Sequence, residues 1–270
     1  MRIRLIFNLQ NRGAVLPFHH QGLIVDMIND LKTNMSPEFE KFDFFCFSGV
    51  KGQTKVTKTG LQYNSKKVTI VFSCLSDEFA VQMVQAIFKR EFIELGELLL
   101  EPDTVEKEKE SILGEVVKFI SISPIMVAPS TSEDVKEFID PNDDRFSDAI
   151  YETTMSRMER TGLYTEEDFK SFFKFQIVPD NEYLKKIKQK NKKFSRIYTT
   201  GSLGQGDEFR GYTLPFTLFA DPKVQQFIFT CGFGDFANHG FGMLDIANID
   251  PLGRVVEFDF GIEKIEKTVS

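Results

Sequence analysis

The side chains best suited to proton transfer near neutral pH are three histidines, His19, His20 and His239. His20 stands where a first helix should begin, and the positive end of a helix lowers an imidazole pKa and favours a neutral base. Two interpretations of His20 are open: it is a catalytic base, or it and His19 cap the helix and pack beneath a loop. Three histidines are too few for a dedicated zinc cage, so we expect neither a metal nor another cofactor.

A glycine-rich stretch over residues 230–244 could bring backbone N–H groups to a phosphate. Glycine is dense where φ is positive or where another chain comes close, and bare N–H groups can then bind an anion. The alternative is an ordinary turn between two strands, one of them predicted over 226–230. His239 either meets RNA through a base or a phosphate, or is a turn residue. The candidate RNA contacts in this stretch are Gly232, Gly234, His239, Gly240 and Gly242.

Basic residues are concentrated in two islands of an otherwise acidic chain, whose net charge is −7. Residues 44–76 carry five lysines and no acid, and residues 185–196 carry seven cations and no acid. Such islands predict an electropositive groove for nucleic acid, although a solvated lysine-rich hairpin or helix is the alternative. The candidate RNA contacts in the islands are Lys51, Lys55, Lys58, Lys190, Lys192, Lys193 and Arg196.

The order of predicted elements favours an α+β fold. The chain has 270 residues, of which 41% are hydrophobic, enough for one large core or two small ones. Strands over 2–7, 41–48, 68–73 and 111–121, with helices over 20–33 and 77–92, follow the β-α-β-β-α-β order of a ferredoxin-like unit. A similar order follows, with a helix over 146–159, strands over 169–178, 194–199, 211–219 and 243–247, and a short helix over 221–227. We therefore predict two tandem ferredoxin-like (RRM-like) domains, 1–122 and 123–270, each an antiparallel sheet packed on helices.

The chain shows no sign of a membrane or of export. No apolar run approaches the ~20 residues that span a bilayer. The start of the sequence becomes polar too soon for a signal peptide. We therefore expect a cytoplasmic protein that does not bind a membrane.

Five segments in order resemble a known family, the CRISPR-associated endoribonucleases of the sixth Cas family (RAMP superfamily), which cut precursor CRISPR RNA at its repeats. The segments cover nearly the whole chain: Leu16–Gln21, Phe44–Ser48, Phe119–Ile125, Phe138–Pro141 with Phe146, and Gly232–Met243.

This resemblance implies metal-independent cleavage, in which a ribose 2′-OH attacks the adjacent phosphorus. The products are a 2′,3′-cyclic phosphate and a 5′-OH. It also implies a catalytic role for Lys41, which lies near a position where some members use lysine. Many members carry a histidine between the first helix and the second strand, but residues 34–42 contain none here. The tyrosine that some members have late in the first helix is absent here, and Asn29 is near that place.

Three functions remain open at this point. The first is an endoribonuclease specific for CRISPR repeats, with His20 and Lys41 as candidate catalytic residues. The second is a relative that binds repeat RNA without cutting it. The third is a structural subunit of a ribonucleoprotein with other Cas proteins, in which the acidic segment 101–145 faces a protein partner.

Overall fold

The computed structural model describes residues 1–127, 139–199, 208–258 and 260. Phe138, from one of the segments compared above, lies outside the described residues. Within them, the chain forms two units, each of which packs an antiparallel sheet against helices. The predicted α+β class is confirmed.

The first unit is ferredoxin-like. Its elements are β1 (Arg2–Leu9), β2 (Val15–Leu16), α1 (Gln21–Lys32), β3 (Phe45–Phe47), β4 (Thr54–Val56), β5 (Leu61–Tyr63), β6 (Lys67–Cys74), α2 (Asp77–Phe88), β7 (Ile93–Leu95) and β8 (Leu98–Glu108). The sheet order β8-β1-β6-β3 is the ferredoxin order, with its fourth strand beside the first. Strands β2, β5 and β4 form a small separate sheet beside it.

The second unit repeats this arrangement. Its elements are β9 (Val116–Ser121), β10 (Ile125–Met126), α3 (Asp144–Thr161), α4 (Glu166–Ser171), β11 (Phe175–Pro179), α5 (Asn181–Gln189), β12 (Ser195–Thr199), β13 (Glu208–Tyr212), β14 (Pro215–Ala220), α6 (Pro222–Cys231), β15 (Leu244–Ile246) and β16 (Val255–Glu257). The sheet order β11-β14-β9-β15 is again the ferredoxin order. Strands β10, β13 and β12 form a side sheet, and β16 returns to pair with β8 of the first unit.

The helices form where apolar residues recur at helical spacing. In α1, Ile24, Met27, Ile28 and Leu31 are buried against the first sheet. Ser76 caps the start of α2, because its hydroxyl accepts the N–H of Phe79, the third helical residue. The helices predicted over 20–33, 77–92 and 146–159 are thus confirmed, with ends that move by a few residues.

The strand predicted over 111–121 was assigned to the first unit, and that assignment is wrong. The fourth strand of the first sheet is β8, and β9 pairs with β14 and β15 of the second. The chain therefore leaves the first sheet after Glu108 and enters the second at Val116, whereas the sequence placed the change at 122/123. Strand β8 escapes sequence reasoning because Glu106 and Glu108 resemble solvated surface residues, while the fold pairs them with arginines of β1.

The strand predicted over 226–230 is also wrong, because this apolar run is the second half of α6. The Asp221 side chain caps that helix, and Pro222 is its first residue. Phe227, Ile228 and Phe229 are all buried, so burial on several sides of the helix overrides the local preference of such a run for a strand. The short helix predicted over 221–227 is confirmed and extends further.

Two other predicted strands are divided in the structure. Residues 169–178 contain the end of α4 and the start of β11. Residues 211–219 contain parts of β13 and β14, which belong to different sheets. Pro215 begins the second of these strands, at the kind of position where a strand tolerates proline.

A buried ionic network joins the two units. Glu108 of β8 lies 3.1 Å from Arg2 and 3.3 Å from Arg254, and Arg254 also pairs with Asp245 of β15. All four side chains are at most 10% exposed. The Arg2 guanidinium lies over the ring of Phe229, 4.6 Å from its centre. Two positive and two negative charges thus balance one another where β1 and β8 meet the second unit.

Within the described ranges, the helices are too short or too polar for any of them to cross a membrane.

Glu108→Gln should destabilise the protein because it removes one negative charge from this buried network and leaves Arg2 without its carboxylate partner. We expect a loss of about 3–5 kcal/mol in the free energy of unfolding, measured with denaturant. Glu167→Gln is the matched control, because Glu167 forms an exposed ion pair with Lys170, and it should change stability by less than about 0.5 kcal/mol. Equal effects of the two changes would contradict a structural role for the network.

Candidate functional site

The imidazole of His20 is buried just before α1 and both of its nitrogens are engaged. Nε2 accepts the N–H of Val50 at 3.1 Å, and Nδ1 lies 3.0 Å from the carbonyl oxygen of Pro17. This pattern requires the proton on Nδ1 and a neutral ring. Burial lowers the pKa of His20 from its ordinary value of 6.5, which stabilises that neutral form.

The geometry does not support the catalytic role predicted for His20. Its acceptor nitrogen already receives an N–H within the protein, and the ring is only 5% exposed. No lone pair remains on the ring to receive a proton from a substrate hydroxyl. The alternative interpretation, packing beneath a loop, describes the structure better, although the side chain makes no cap hydrogen bond. His20 ties the segment 49–51 to the start of α1.

His19, the neighbouring histidine, is exposed and faces a different set of groups. Its ring meets Tyr198 of β12 edge to face, with ring centres 4.9 Å apart. Partial burial lowers the pKa of His19, and the positive charge of Arg196 lowers it further. Arg196 and Tyr198 are two residues apart on β12, so they share one face of that strand. The junction of the two units therefore brings together a histidine, an arginine and a tyrosine.

The glycine-rich loop packs against this junction. Gly232, Gly234, Gly240 and Gly242 all have positive φ, as their density predicts. At Gly240, a side chain would overlap the ring of Phe47 in β3, and at Gly232 an added Cβ would lie 2.9 Å from that of Cys46. The loop therefore lies directly on β3 of the first unit. Phe241 then contacts Tyr198, with ring centres 5.5 Å apart.

The loop glycines do not offer free N–H groups to a phosphate in the way that the sequence suggests. The N–H groups of Gly232, Gly240 and Gly242 donate to the carbonyl oxygens of Ile228, Ala237 and Pro124. Gly234 is buried against the backbone of Met126. What requires glycine here is close packing of the two units, and any effect of these residues on RNA would act through the shape of the junction.

His239 lies in a single turn of 3-10 helix, Ala237–His239, on the same loop. Its Nδ1 lies 2.9 Å from the side-chain oxygen of Asn238, and its ring meets that of Phe236. Burial lowers the pKa of His239. The ring is half-buried, so both interpretations of this residue, a turn residue and an RNA contact, remain predictions.

Lys41 is exposed and lies at the opposite end of α1 from the two histidines. Lys32, at the end of that helix, donates to the carbonyl oxygen of Phe42, next to Lys41. A helix of 12 residues separates the two ends by ~18 Å. Lys41 and His19 therefore belong to different places, and the two predicted catalytic residues, His20 and Lys41, are not brought together.

One member of each basic island lies near the two histidines. Lys51 follows Val50, the partner of His20, and Arg196 lies beside His19. Lys55 lies on β4 and Lys58 in the turn after it, both exposed. The other members lie exposed at the end of α5 and in the turn before β12: Lys190, Lys192 and Lys193. Their role in RNA binding stays a prediction.

The junction has the parts that acid–base chemistry on a phosphodiester needs. A histidine with a lowered pKa is largely neutral at pH 7 and can accept a proton. Arg196 can balance negative charge on phosphorus. Burial raises the pKa of Tyr198, so its phenol stays protonated. Sequence reasoning passes over His19 and Tyr198 as catalytic candidates, and the one signal for the tyrosine is its spacing of two residues from Arg196 on a strand.

Within the described parts of the chain, no three His, Cys, Asp or Glu side chains come together as a set of metal ligands would. The expectation of metal-independent chemistry therefore stays a prediction.

Comparisons of the sequence with known proteins agree on one family. A family model described as the C-terminal part of the CRISPR associated protein Cas6 matches residues 104–246, more than half of the chain. The chain is also 24% identical over 258 residues to the CRISPR-associated endoribonuclease Cas6 1 of Methanocaldococcus jannaschii. That alignment covers 90% of this chain and 92% of the relative.

Solved structures show the same fold. The product of a Cas6-related gene from Pyrococcus furiosus matches with a TM-score of 0.77 at 20% identity, over 93% of this chain and 99% of that one. An RAMP protein described as binding different RNA substrates matches with a TM-score of 0.75 at 22% identity, over 91% of this chain and 99% of that one. At these identities, the likeness establishes the fold alone, and the chemistry has to be argued from the residues of the site.

Acid should destabilise the protein through His20. The pKa of His20 is lowered in the folded protein and ordinary in the unfolded chain. Its contribution to the free energy of unfolding is therefore complete above pH 6.5 and is lost as pH falls below that value. His20→Gln should remove up to about 1.4 kcal/mol per pH unit from this dependence, measured by denaturant unfolding between pH 7 and pH 5. His19→Gln is the control and should remove less, since that ring is exposed. A pH dependence unchanged by His20→Gln would contradict the buried neutral imidazole.

Gly240→Ala should separate backbone strain from steric overlap when it is compared with Gly162→Ala. Both glycines have positive φ, but an added Cβ overlaps Phe47 at Gly240 and meets nothing within 4 Å at Gly162. We expect Gly162→Ala to cost about 1 kcal/mol of stability and Gly240→Ala about 1–3 kcal/mol more, measured by denaturant unfolding. Equal losses of stability in the two variants would show that Phe47 of β3 moves aside at little cost, and that close approach of the loop is not required.

Proposed function

Because the chain belongs to the Cas6 family, we propose that it is an endoribonuclease that cleaves precursor CRISPR RNA within its repeats, and that it makes the cut beside His19. The family match over 104–246 supports the reaction class. The contact of His19 with Tyr198, next to Arg196, is the observation that carries the position of the cut.

In this proposal, the ribose 2′-OH attacks the adjacent phosphorus without a metal. His19 accepts the proton of the 2′-OH, since its lowered pKa leaves the imidazole neutral at pH 7. Arg196 balances the charge that develops on the phosphorane. The bond to the 5′-oxygen breaks and that oxygen takes up a proton, for which the Tyr198 phenol is the protonated group at the junction. The products are a 2′,3′-cyclic phosphate and a 5′-OH.

The proposed partner is CRISPR repeat RNA. An assembly with other Cas proteins rested on the acidic segment 101–145, and part of that charge is used within the chain. Glu106 pairs with Arg4, Glu108 with Arg2, and Asp103 with Lys67. These pairs leave the described part of this segment with less free negative charge for a protein partner than the sequence indicates.

A relative that binds repeat RNA without cutting it is the second candidate. One observation favours it: the segment between α1 and β3 has no histidine, and it presents Lys41 at a distance from His19. General acid–base help is commonly worth about 10²–10⁴-fold in rate, so the two candidates differ by a measurable amount.

Cleavage of the host's own repeat RNA in EDTA tests the proposal. Under single-turnover conditions, the protein should yield a 2′,3′-cyclic phosphate, and a 2′-deoxy residue at the cut should abolish cleavage. His19→Ala should slow cleavage by about 10²–10⁴-fold, because the neutral base is removed. Lys41→Ala, at the other end of α1, should keep the rate of the unaltered protein.

Two outcomes would contradict this assignment. Tight binding of repeat RNA without any cut by the unaltered protein would identify the binding relative. Cleavage that survives His19→Ala but is abolished by Lys41→Ala would move the reaction to the far end of α1.

A further inference from the structure

Arg157 of α3 is a partly buried arginine that has no part in the proposed chemistry. Its guanidinium donates to the carbonyl oxygen of Cys231 at 2.6 Å and to that of Gly232 at 2.9 Å. It also lies over the ring of Phe227, 5.5 Å from its centre. Among the described residues, no carboxylate forms an ion pair with Arg157, so backbone carbonyls are its closest polar partners.

These carbonyls mark the end of α6. Cys231 is the last residue of that helix, and Gly232 is the residue that caps it. The last carbonyls of a helix have no partner within the helix and carry partial negative charge. Burial lowers the pKa of Arg157, but a guanidinium keeps its charge at pH 7. Arg157 therefore places a cation at the end of α6 and fixes the direction in which the chain enters the glycine-rich loop.

Two elements hold this loop in place. At Gly240 the loop lies against Phe47 of β3, and at its start it is held by α3. Thr153 lies four residues before Arg157, on the same face of α3, and its hydroxyl donates to Asp235 at 3.1 Å. The second helix contact therefore extends the hold of α3 from the end of α6 into the loop.

The segment that Arg157 holds is hydrogen-bonded to the returning arm of the loop. The N–H of Phe233 donates to the carbonyl oxygen of Gly242 at 2.9 Å. A side chain at Gly242 would overlap the backbone of Phe233, so the two arms are in direct contact. Phe241 is the neighbour of Gly242 in the chain. A shift of residues 231–233 therefore moves Phe241 with it.

Phe241 in turn determines where the groups at the junction lie. Its ring meets that of Tyr198, with centres 5.5 Å apart, and Tyr198 meets His19 at 4.9 Å. An added Cβ at Gly211 of β13 would lie 2.8 Å from the Tyr198 ring, so the tyrosine fits closely between this strand and Phe241. Displacement of the loop would therefore change how Tyr198 faces His19.

We propose that Arg157 is a positioning residue for RNA cleavage: it fixes the exit from α6 and, through the glycine-rich loop, sets the position of Tyr198 against His19. The inference rests on the proposed function and adds a residue that touches neither the substrate nor the reacting atoms. Misplacement of reacting groups by about 1 Å can cost about 10²-fold in rate. Loss of Arg157 should therefore slow the chemical step more than it weakens RNA binding.

The test compares three variants of α3. Arg157→Met removes the guanidinium but keeps an unbranched side chain, and Arg157→Lys keeps a cation without the fork that spans two carbonyls. Arg160→Met is the matched control, because it removes an arginine from the next turn of α3, where the ion pair with Asp43 is largely exposed. Thermal melting confirms that each variant is folded. If Arg157→Met melts below the assay temperature, Arg157→Lys carries the comparison.

The first measurement separates the rate of cleavage from the affinity for RNA. Under single-turnover conditions with saturating protein, Arg157→Met should slow cleavage by about 10–10²-fold, and Arg157→Lys should slow it less. The Kd of repeat RNA with a 2′-deoxy residue at the cut should change by less than about threefold in the same variants. Arg160→Met should keep the rate of the unaltered protein. A loss confined to the Kd, or equal losses of rate in Arg157→Met and Arg160→Met, would overturn the inference.

The second measurement follows the position of His19 by NMR and needs no cleavage. The chain has three histidines, so the imidazole C–H resonances of His19 can be assigned by their loss in His19→Gln. The ring current of Tyr198 shifts these resonances, and Tyr198→Leu gives their values without it. Arg157→Met should move the His19 resonances towards those values, whereas Arg160→Met should leave them in place.

These two measurements distinguish failure of the inference from failure of the proposed function. If the unaltered protein cuts nothing and the His19 resonances still move in Arg157→Met, the proposed function fails and the positioning of the junction by Arg157 stands. If the unaltered protein cuts RNA and Arg157→Met changes neither the rate nor the resonances, the inference fails alone.

Discussion

The rest of the structure depends on the close approach of the glycine-rich loop to strand β3. The backbone at Gly240 lies against the ring of Phe47, where no side chain fits. Positive φ at four glycines lets the loop reverse within a few residues and still bury its apolar side chains. Phe241 then lies against Tyr198, which in turn meets His19. A contact between the two units thus positions the groups that are best placed for chemistry.

The buried ionic network works alongside this contact and explains why acids occur in a central strand. Glu108 and Asp245 are buried only because Arg2 and Arg254 come to them from other parts of the chain. A buried charge without its partner is strongly destabilising, so this pairing favours one relative placement of β8 and β15 over others.

Two adjacent histidines lie in different environments, which suit His20 to a structural role and His19 to acid–base chemistry. His20 is buried, and both of its nitrogens are bound to backbone groups. His19 is exposed beside an arginine and a tyrosine. Burial lowers the pKa of both rings, so the direction of the pKa shift does not tell them apart. The hydrogen-bond partners do, since only a ring with a free acceptor nitrogen can act as a base.

The sequence by itself determined the α+β class, the repeated β-α-β-β-α-β order, the amphipathic helices and the need for positive φ in the glycine loop, because these follow from local periodicity and local backbone sterics. It did not place β8, the helix over 226–230, or His19 as the candidate base. Each of these depends on partners distant in the sequence: arginines for Glu106 and Glu108, burial for Phe227, and Tyr198 for His19. Only the tertiary structure decides which polar groups are satisfied within the protein and which remain open to a substrate.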